Sequence, residues 1–350
     1  MEPPTKLTRQ ESNIHGGKGA GIPRALPARQ RRPISGRTVL VTGAAGFLGS
    51  NLCRTLKLAG ARVFAVTRGP RPGTDGQLEW IQADCADSDA LRSVLTAVRP
   101  QVIYHLTGHG DGSLDLGAVL PTLQNDLVTC VNMLATATEI GIDRMVLAAS
   151  LEEPTRLEES PATPYATAKW CCSAYAQMFH RVYHTPVTLV RPYMTYGPGQ
   201  RPHKVIPSII LSILRGQAPE LGSGRRPVDW VYVDDVVEGM IAAAEVSGVE
   251  GETIDLGSGA AVTIRKVAER IVAMMGGPFE PRFHAHSDRP SEVIRIADTA
   301  TARDCLRWVS KTSLEEGLRK TIQWYRQESE RGSHPSNLLF PEEFERAKTT

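Results

Sequence analysis

From Thr38 onward the chain alternates short apolar runs with longer stretches of helical period. Thr38–Thr42 (TVLVT), Arg62–Thr67 (RVFAVT), Trp80–Ala83, Val102–Leu106 (VIYHL), Met145–Ala149 (MVLAA) and Val187–Val190 (VTLV) are predicted strands. Ser50–Ala59, Asp87–Val98, Leu123–Ile140 and Tyr165–Tyr183 are predicted helices between them. Continuously apolar strands joined by helical crossovers form a parallel sheet covered on both faces. The pattern therefore predicts an α/β fold built on a doubly wound parallel sheet. Such sheets bind ligands beyond the C-terminal ends of their strands. The turn after Thr42, Leu106, Ser150 and Arg191-Pro192 all fall at those ends.

After Pro192 the rhythm breaks. A turn cluster, Tyr196–Gln200, precedes a predicted helix Val205–Leu214. Trp230–Asp235 is a predicted short strand whose Asp234 or Asp235 caps a helix Val236–Ala244. Thr253–Leu256, the helix Arg265–Met275, Arg282–His284 and a helix Leu314–Glu328 follow. The expected organisation is a main domain over 37–192 and a smaller α/β lobe over 193–330, part of which can return to the main sheet, with a surface tail over 331–350.

Residues 1–36 differ from the rest. Up to Arg37 there are eight Lys/Arg against two acids, so the remainder carries about four net negative charges within an overall +2. Such a basic, Pro- and Gly-rich stretch without apolar period predicts a disordered tail. The near-neutral total and the absence of basic–aromatic interleaving speak against a nucleic-acid binder. No apolar run approaches the ~18 residues of a membrane span. Six cysteines without CxxC spacing fit reduced thiols, and a cytoplasmic location is expected. His180 and His184 share a helix face but have no third ligand at metal spacing, so no metal site is predicted.

Three glycines, Gly43, Gly46 and Gly49, form G-x-x-G-x-x-G between the first strand and the first helix. A helix N-terminus reached through such a turn offers unpaired N–H groups and a positive dipole end to a phosphate. Tyr165-Ala166-Thr167-Ala168-Lys169 opens a later helix, where residues i and i+4 share a face. The Lys169 ammonium, together with the positive charge of an oxidised nicotinamide, is expected to lower the Tyr165 pKa, so that the phenol can take a hydroxyl proton. Ser150, fifteen residues upstream at a strand end, is placed to hold the same oxygen.

With these motifs the chain resembles the extended short-chain dehydrogenase/reductases of the nucleotide-sugar epimerase/dehydratase type. The resemblance covers about 36–327, and its carriers are VTGAAGFLGS (41–50), YATAK (165–169), LVRPYMTYGPGQ (189–200), WVYVDDVVEG (230–239), DLGSG (255–259) and RPSEV…ADTATAR (289–303). It implies a Rossmann-like sheet, a bound NAD(P), a nucleotide-diphosphate sugar as substrate, oxidation at sugar C4 to a 4-keto intermediate, and a homodimer. Tyr165, Lys169 and Ser150 take the catalytic positions. The implied cofactor-binding set is Gly43, Gly46, Phe47, Leu48, Gly49, Arg68, Asp84, Cys85, Leu106, Tyr165, Lys169 and Pro192. Met194, Arg226 and Arg289 occupy substrate-binding places.

Several positions narrow this resemblance. Thr67-Arg68, with Arg71 close by, stands where an acid would favour NAD; a cation there suits the 2′-phosphate of NADP, which is the expected cofactor, with NAD the alternative. Glu152 occupies the place of an acid found two residues after the Ser/Thr in 4,6-dehydratases and uronate decarboxylases, and it is a further candidate acid/base. Leu151 is apolar where dehydratases commonly carry a second acid. Ser-x-Glu-Glu also occurs in NADPH-dependent 4-keto-6-deoxysugar reductases, which stay open as an alternative, as does a non-catalytic dinucleotide-binding protein. Met194 replaces a usual Asn, Val228 stands at a usual Arg, Glu292 replaces an Asp, and Thr107–Asp111 departs from the usual segment.

Overall fold

The structure is a computed structural model describing residues 30–69, 74–75, 78–108, 112–156, 159–284 and 294–331. The elements of the first half are β1 (Thr38–Thr42), α1 (Phe47–Leu58), β2 (Arg62–Thr67), β3 (Thr74–Asp75), β4 (Leu78–Gln82), α2 (Ser88–Val98), β5 (Val102–His105), α3 (Val119–Thr122), α4 (Thr129–Ile140), β6 (Arg144–Ala148), α5 (Pro164–Tyr183) and β7 (Val187–Pro192). The second half adds β8 (Met194–Tyr196), α6 (Val205–Leu214), β9 (Glu220–Leu221), β10 (Pro227–Tyr232), α7 (Val233–Glu245), β11 (Thr253–Leu256), β12 (Ala261–Thr263), α8 (Ile264–Met275), β13 (Arg282–Phe283), α9 (Thr299–Thr301) and α10 (Leu314–Glu330).

The main sheet has the order β11-β7-β6-β5-β1-β2-β4-β3 and is parallel except for the short antiparallel β3. The order reverses beside β1, between β5 and β2, which is where a doubly wound sheet opens a crevice. Alternation along each strand sorts the core into two layers. Val39 and Val41 pack on one face with Leu52 and Leu56 of α1 and Val236 and Met240 of α7. Leu40 packs on the other with Leu91 and Leu95 of α2, Met133 and Leu134 of α4, and Phe179 of α5.

Local chemistry sets the helix starts. Asp87 caps α2 by accepting from the N–H groups of Asp89 and Ala90. Thr163 caps α5 from the Ala166 N–H, and Pro164 occupies the first helical position, where no N–H is needed. Between α3 and α4 the helix widens to a π turn over Leu123–Val128, which interrupts the predicted Leu123–Ile140 helix and buries Asp126. The helix expected over Val236–Ala244 begins earlier, at Val233. Asp234 and Asp235 therefore lie in its first turn rather than at a cap, and Asp235 is buried, accepting from Ser310, Lys311 and Thr312.

β11 returns to the edge of the main sheet beside β7. The other strands after Pro192 form a three-stranded sheet, β12-β10-β8, and the pair β13-β9. Tyr196, Trp230 and Tyr232 pack edge to face there as core side chains. Most of the expected basic tail, residues 1–29, and the end of the chain from 332 lie outside the described residues. Residues 30–36 do not behave as a free tail. Arg31 bridges Val246, the Arg32 N–H donates to Glu245 O, and Ile34 is buried with its N–H on the Glu245 carboxylate. One apolar side chain and an acceptor at the end of α7 suffice to dock this segment. No described helix is long and apolar enough to cross a membrane.

Candidate active site and dinucleotide cleft

The glycine turn shapes the first part of the site. Gly43 has φ +66°, and a Cβ there would lie 2.8 Å from the Leu106 carbonyl oxygen at the end of β5. Gly46 precedes α1 without any side-chain cap, so the first-turn N–H groups face the crevice without a competing side chain. Gly49 serves packing: a Cβ would come within 2.2 Å of the Gly43 carbonyl oxygen. Its absence lets α1 press onto the turn.

Above this turn lies a cavity of about 250 Å³. Six of the expected cofactor residues line it: Gly43, Gly46, Arg68, Asp84, Cys85 and Leu106. Phe47, Leu48, Gly49, Tyr165, Lys169 and Pro192 do not. Arg68 donates to Asn125 Oδ1 across the cavity at 2.7 Å, and Asp84 turns its carboxylate onto the Ala86 N–H at 2.9 Å. Asn125, Thr129, Thr107 and Arg201 also line it, and none of them was singled out as a cofactor residue in the sequence. Asn125 lies in the π turn, Thr129 follows it, and Arg201 follows the turn cluster after β8, so only the fold brings them here. A dinucleotide fits this arrangement: backbone donors and a helix N-terminus stand at one end, and a guanidinium at the other. Arg71 lies outside the described residues.

The catalytic candidates converge at the C-terminal ends of β5 and β6. Lys169 is buried and donates from Nζ to the carbonyl oxygens of Thr107 and Ala148, both at 3.1 Å. Burial alone would lower its pKa, but Tyr165, Asp126, Cys172 and Cys130 together hold it above the ordinary lysine value, so it stays an ammonium. Tyr165 is half-buried, with Ser150 and Lys169 near enough to its hydroxyl to act on its pKa. Within the protein alone its pKa is raised. Burial is the largest influence; Lys169 and Ser150 act in the expected downward direction but are outweighed, and Glu152 and Asp126 add to the rise. Without a further positive charge this phenol is neutral.

Ser150 is buried, and its Oγ accepts the Glu152 N–H at 3.2 Å. Glu152 receives the Thr163 hydroxyl at 3.5 Å and lines a second cavity of about 390 Å³ with Arg156, Glu159, Ile294 and Arg295. Two residues that the sequence did not single out hold this loop. Glu153 is buried, and Arg295 donates to the carbonyl oxygens of Leu151 and Glu153. Met194 and Arg226 lie on the second sheet and its margin and line neither cavity; Arg289 and Glu292 lie outside the described residues.

His105, at the end of β5, is buried with Nδ1 on the Thr42 hydroxyl at 2.9 Å, and Thr107 donates to the same hydroxyl. Burial first, and Lys169 second, push its pKa down to about 3, so it is a neutral imidazole. Cys172 is a packed thiol against the Asp126 carbonyl, and His180 bonds to Thr185 O. No group of metal-binding side chains occurs among the described residues.

A doubly wound parallel sheet, a glycine turn into its first helix and a Ser150/Tyr165/Lys169 group at the sheet's C-terminal edge define an extended short-chain dehydrogenase/reductase. The sequence profile of the NAD dependent epimerase/dehydratase family matches residues 39–257, and the chain belongs to that family. It is 28% identical over 313 residues to a UDP-glucose 4-epimerase of Mycolicibacterium smegmatis, covering 83% of this chain and 99% of that protein. It is 25% identical to a dTDP-glucose 4,6-dehydratase of Haemophilus influenzae, covering 82% and 97%. Among solved structures, the epimerase Mth375 of Methanothermobacter thermautotrophicus superposes with a TM-score of 0.77 at 28% identity, over 86% of this chain and 96% of that one.

Proposed function

We propose that this protein is an NADP-dependent nucleotide-sugar epimerase or 4,6-dehydratase that acts through oxidation at sugar C4 to a 4-keto intermediate. The observation that carries the reading is the convergence of the Ser150 and Tyr165 side chains beside a buried Lys169, whose ammonium bonds to Thr107 in the lining of the cavity above the glycine turn. Gly43, Gly46, Asp84, Cys85 and Leu106 hold the dinucleotide, and Arg68 selects its 2′-phosphate; NAD is the alternative. When bound, the oxidised dinucleotide supplies a hydride acceptor and a positive charge. Tyr165 takes the C4 hydroxyl proton once that charge joins Lys169 in favouring the phenolate. Ser150 holds the C4 oxygen, and Glu152, in the lining of the second cavity, handles a proton at the neighbouring carbon. Residues 193–330, apart from β11, form the substrate-binding lobe, and Met194, Arg226 and Arg289 are its proposed diphosphate and sugar contacts.

A second reading, an NADPH-dependent reductase of 4-keto-6-deoxy sugars, is favoured by Leu151, which removes the second acid that elimination would use. The exposed apolar side chains Leu116, Leu120, Trp170 and Val182, beside and along α5, support a homodimer through this face, tested by light scattering on the purified protein. The function itself is tested with a panel of UDP-, GDP-, CDP- and dTDP-sugars followed by NMR, first without added cofactor and then with NADPH. Cofactor-free conversion is the expected result. NADPH consumption only on a 4-keto sugar establishes the reductase, and no conversion of any sugar overturns both readings in favour of a binding protein.

A further inference from the structure

Glu153 is 1% exposed and lines neither cavity. Its Oε1 accepts the Ser150 backbone N–H at 2.6 Å, and its Oε2 accepts the Ser173 hydroxyl at 2.8 Å. Ser173 sits on α5, two turns beyond Tyr165. One carboxylate thus ties the Ser150 turn to the helix that carries Tyr165 and Lys169. The Arg191 guanidinium stands 4.0 Å from Oε2 and is itself held by Asp255 at 2.8 Å. From the other side, Arg295 clasps the same turn through the Leu151 and Glu153 carbonyls at 2.8 and 2.5 Å.

A buried carboxylate is an expensive way to fill space, since desolvation disfavours its charge and an apolar side chain of similar size would pack at lower cost. Burial does raise the Glu153 pKa, against the Ser150 and Ser173 hydrogen bonds and the Arg191 and Lys169 charges. What the carboxylate does beyond packing is geometric. It satisfies a buried N–H that would otherwise be orphaned, and it fixes the Ser150 backbone. The Ser150 oxygen accepts the Glu152 N–H, and its rotatable O–H stays available to donate to the Tyr165 oxygen or to a ligand oxygen in its place.

We propose that Glu153 is a positioning residue: by bridging the Ser150 N–H and Ser173, it sets the separation of the Ser150 and Tyr165 hydroxyls and so aims both at one substrate oxygen. This rests on the catalytic reading above. A misplacement of about 1 Å at such a pair costs on the order of 10²-fold in rate. The bridge needs an acceptor facing Ser150, so an amide replaces the carboxylate in part and an alkyl group does not.

The test is a double-mutant cycle between Glu153→Val and Ser150→Ala, with Glu153→Gln as the conservative variant and Ser173→Ala as a milder break in case the valine variant does not fold. On a sugar that the wild type converts, Glu153→Val is expected to lower kcat about 10²-fold, with KM and dinucleotide affinity within about twofold, while Glu153→Gln recovers most of the loss. In the Ser150→Ala background Glu153→Val costs little more. Fully additive losses, or a loss carried by KM or dinucleotide affinity, overturn the proposal. A second readout needs no turnover: the Tyr165 phenolate, isolated by ultraviolet difference titration against Tyr165→Phe. The charged groups facing Tyr165 are Lys169 on its own helix, Glu152 on the Ser150 loop and Asp126 on the π turn, and all stay in place. Glu153→Val and Ser150→Ala should raise its pKa by the same amount, and the double variant no further; an unchanged pKa in Glu153→Val overturns the bridge. If the wild type converts no sugar but this coupling is present, the bridge stands and the catalytic reading falls.

Discussion

The two walls of the cleft are built by opposite means. On the dinucleotide side, shape comes from what is missing: Gly43 and Gly49 lack a Cβ, and backbone N–H groups and carbonyls do the rest. On the other side, the Ser150 loop is held by charged side chains, Glu153 from within the loop and Arg295 from far along the chain. A wall made of backbone suits a ligand part that many proteins share, such as a diphosphate. A wall made of side chains can change its chemistry by single substitutions, and there Leu151 stands where dehydratases of the family commonly carry an acid.

The comparison breaks first at the residue between the walls. Tyr165→Phe should reduce turnover by roughly 10²–10⁴-fold while leaving dinucleotide affinity intact, measured by calorimetric titration; an active Phe variant removes the proposed base. Next comes His105, under the dinucleotide wall. Its folded pKa of about 3 lies below the ordinary value of 6.5, so the unfolded chain binds the proton more readily. The stability it contributes is complete above about pH 6.5 and falls with decreasing pH by up to about 1.4 kcal/mol per unit toward pH 3. Denaturant melts across this range should show that slope, and His105→Asn should flatten it.

Packing at the turn gives a smaller effect. Gly49→Ala forces α1 off the glycine turn and is expected to cost about 1–3 kcal/mol in denaturant unfolding, with weaker dinucleotide binding. A stable, tightly binding alanine variant would show that the turn has slack. Smallest is Arg68→Ala, which should weaken NADP about tenfold and leave NAD unchanged, as expected for one lost charge-assisted contact. Equal losses for both dinucleotides would assign Arg68 to the Asn125 bond rather than to the 2′-phosphate.

The two walls were also unequally legible in the sequence. The glycine turn and Tyr165–Lys169 are local patterns, with spacings that dictate their geometry whatever the rest of the chain does. The parallel sheet followed from the alternation of apolar runs and helices, down to the placement of Ser150 at a strand end. Glu153 was hidden because an acid beside an acid in a loop looks solvated, and only the Ser150 N–H and Ser173 show that it points inward. Arg295 acts across more than 140 residues of chain, beyond any local pattern. The π turn left no signal, since the apolar period runs through Leu123–Val128, although that turn buries Asp126 near Lys169. The neighbouring ammonium is visible in the sequence and lowers the phenol's pKa as expected, while the burial that opposes it is not visible there.

The central claim, that Tyr165 takes a proton from a C4 hydroxyl as the C4 hydrogen departs, is tested most directly by single-turnover kinetics with a nucleotide sugar deuterated at C4. The account predicts slower conversion of the deuterated sugar by the wild type and no conversion by Tyr165→Phe. Equal rates for the two sugars, together with an active Phe variant, would contradict it.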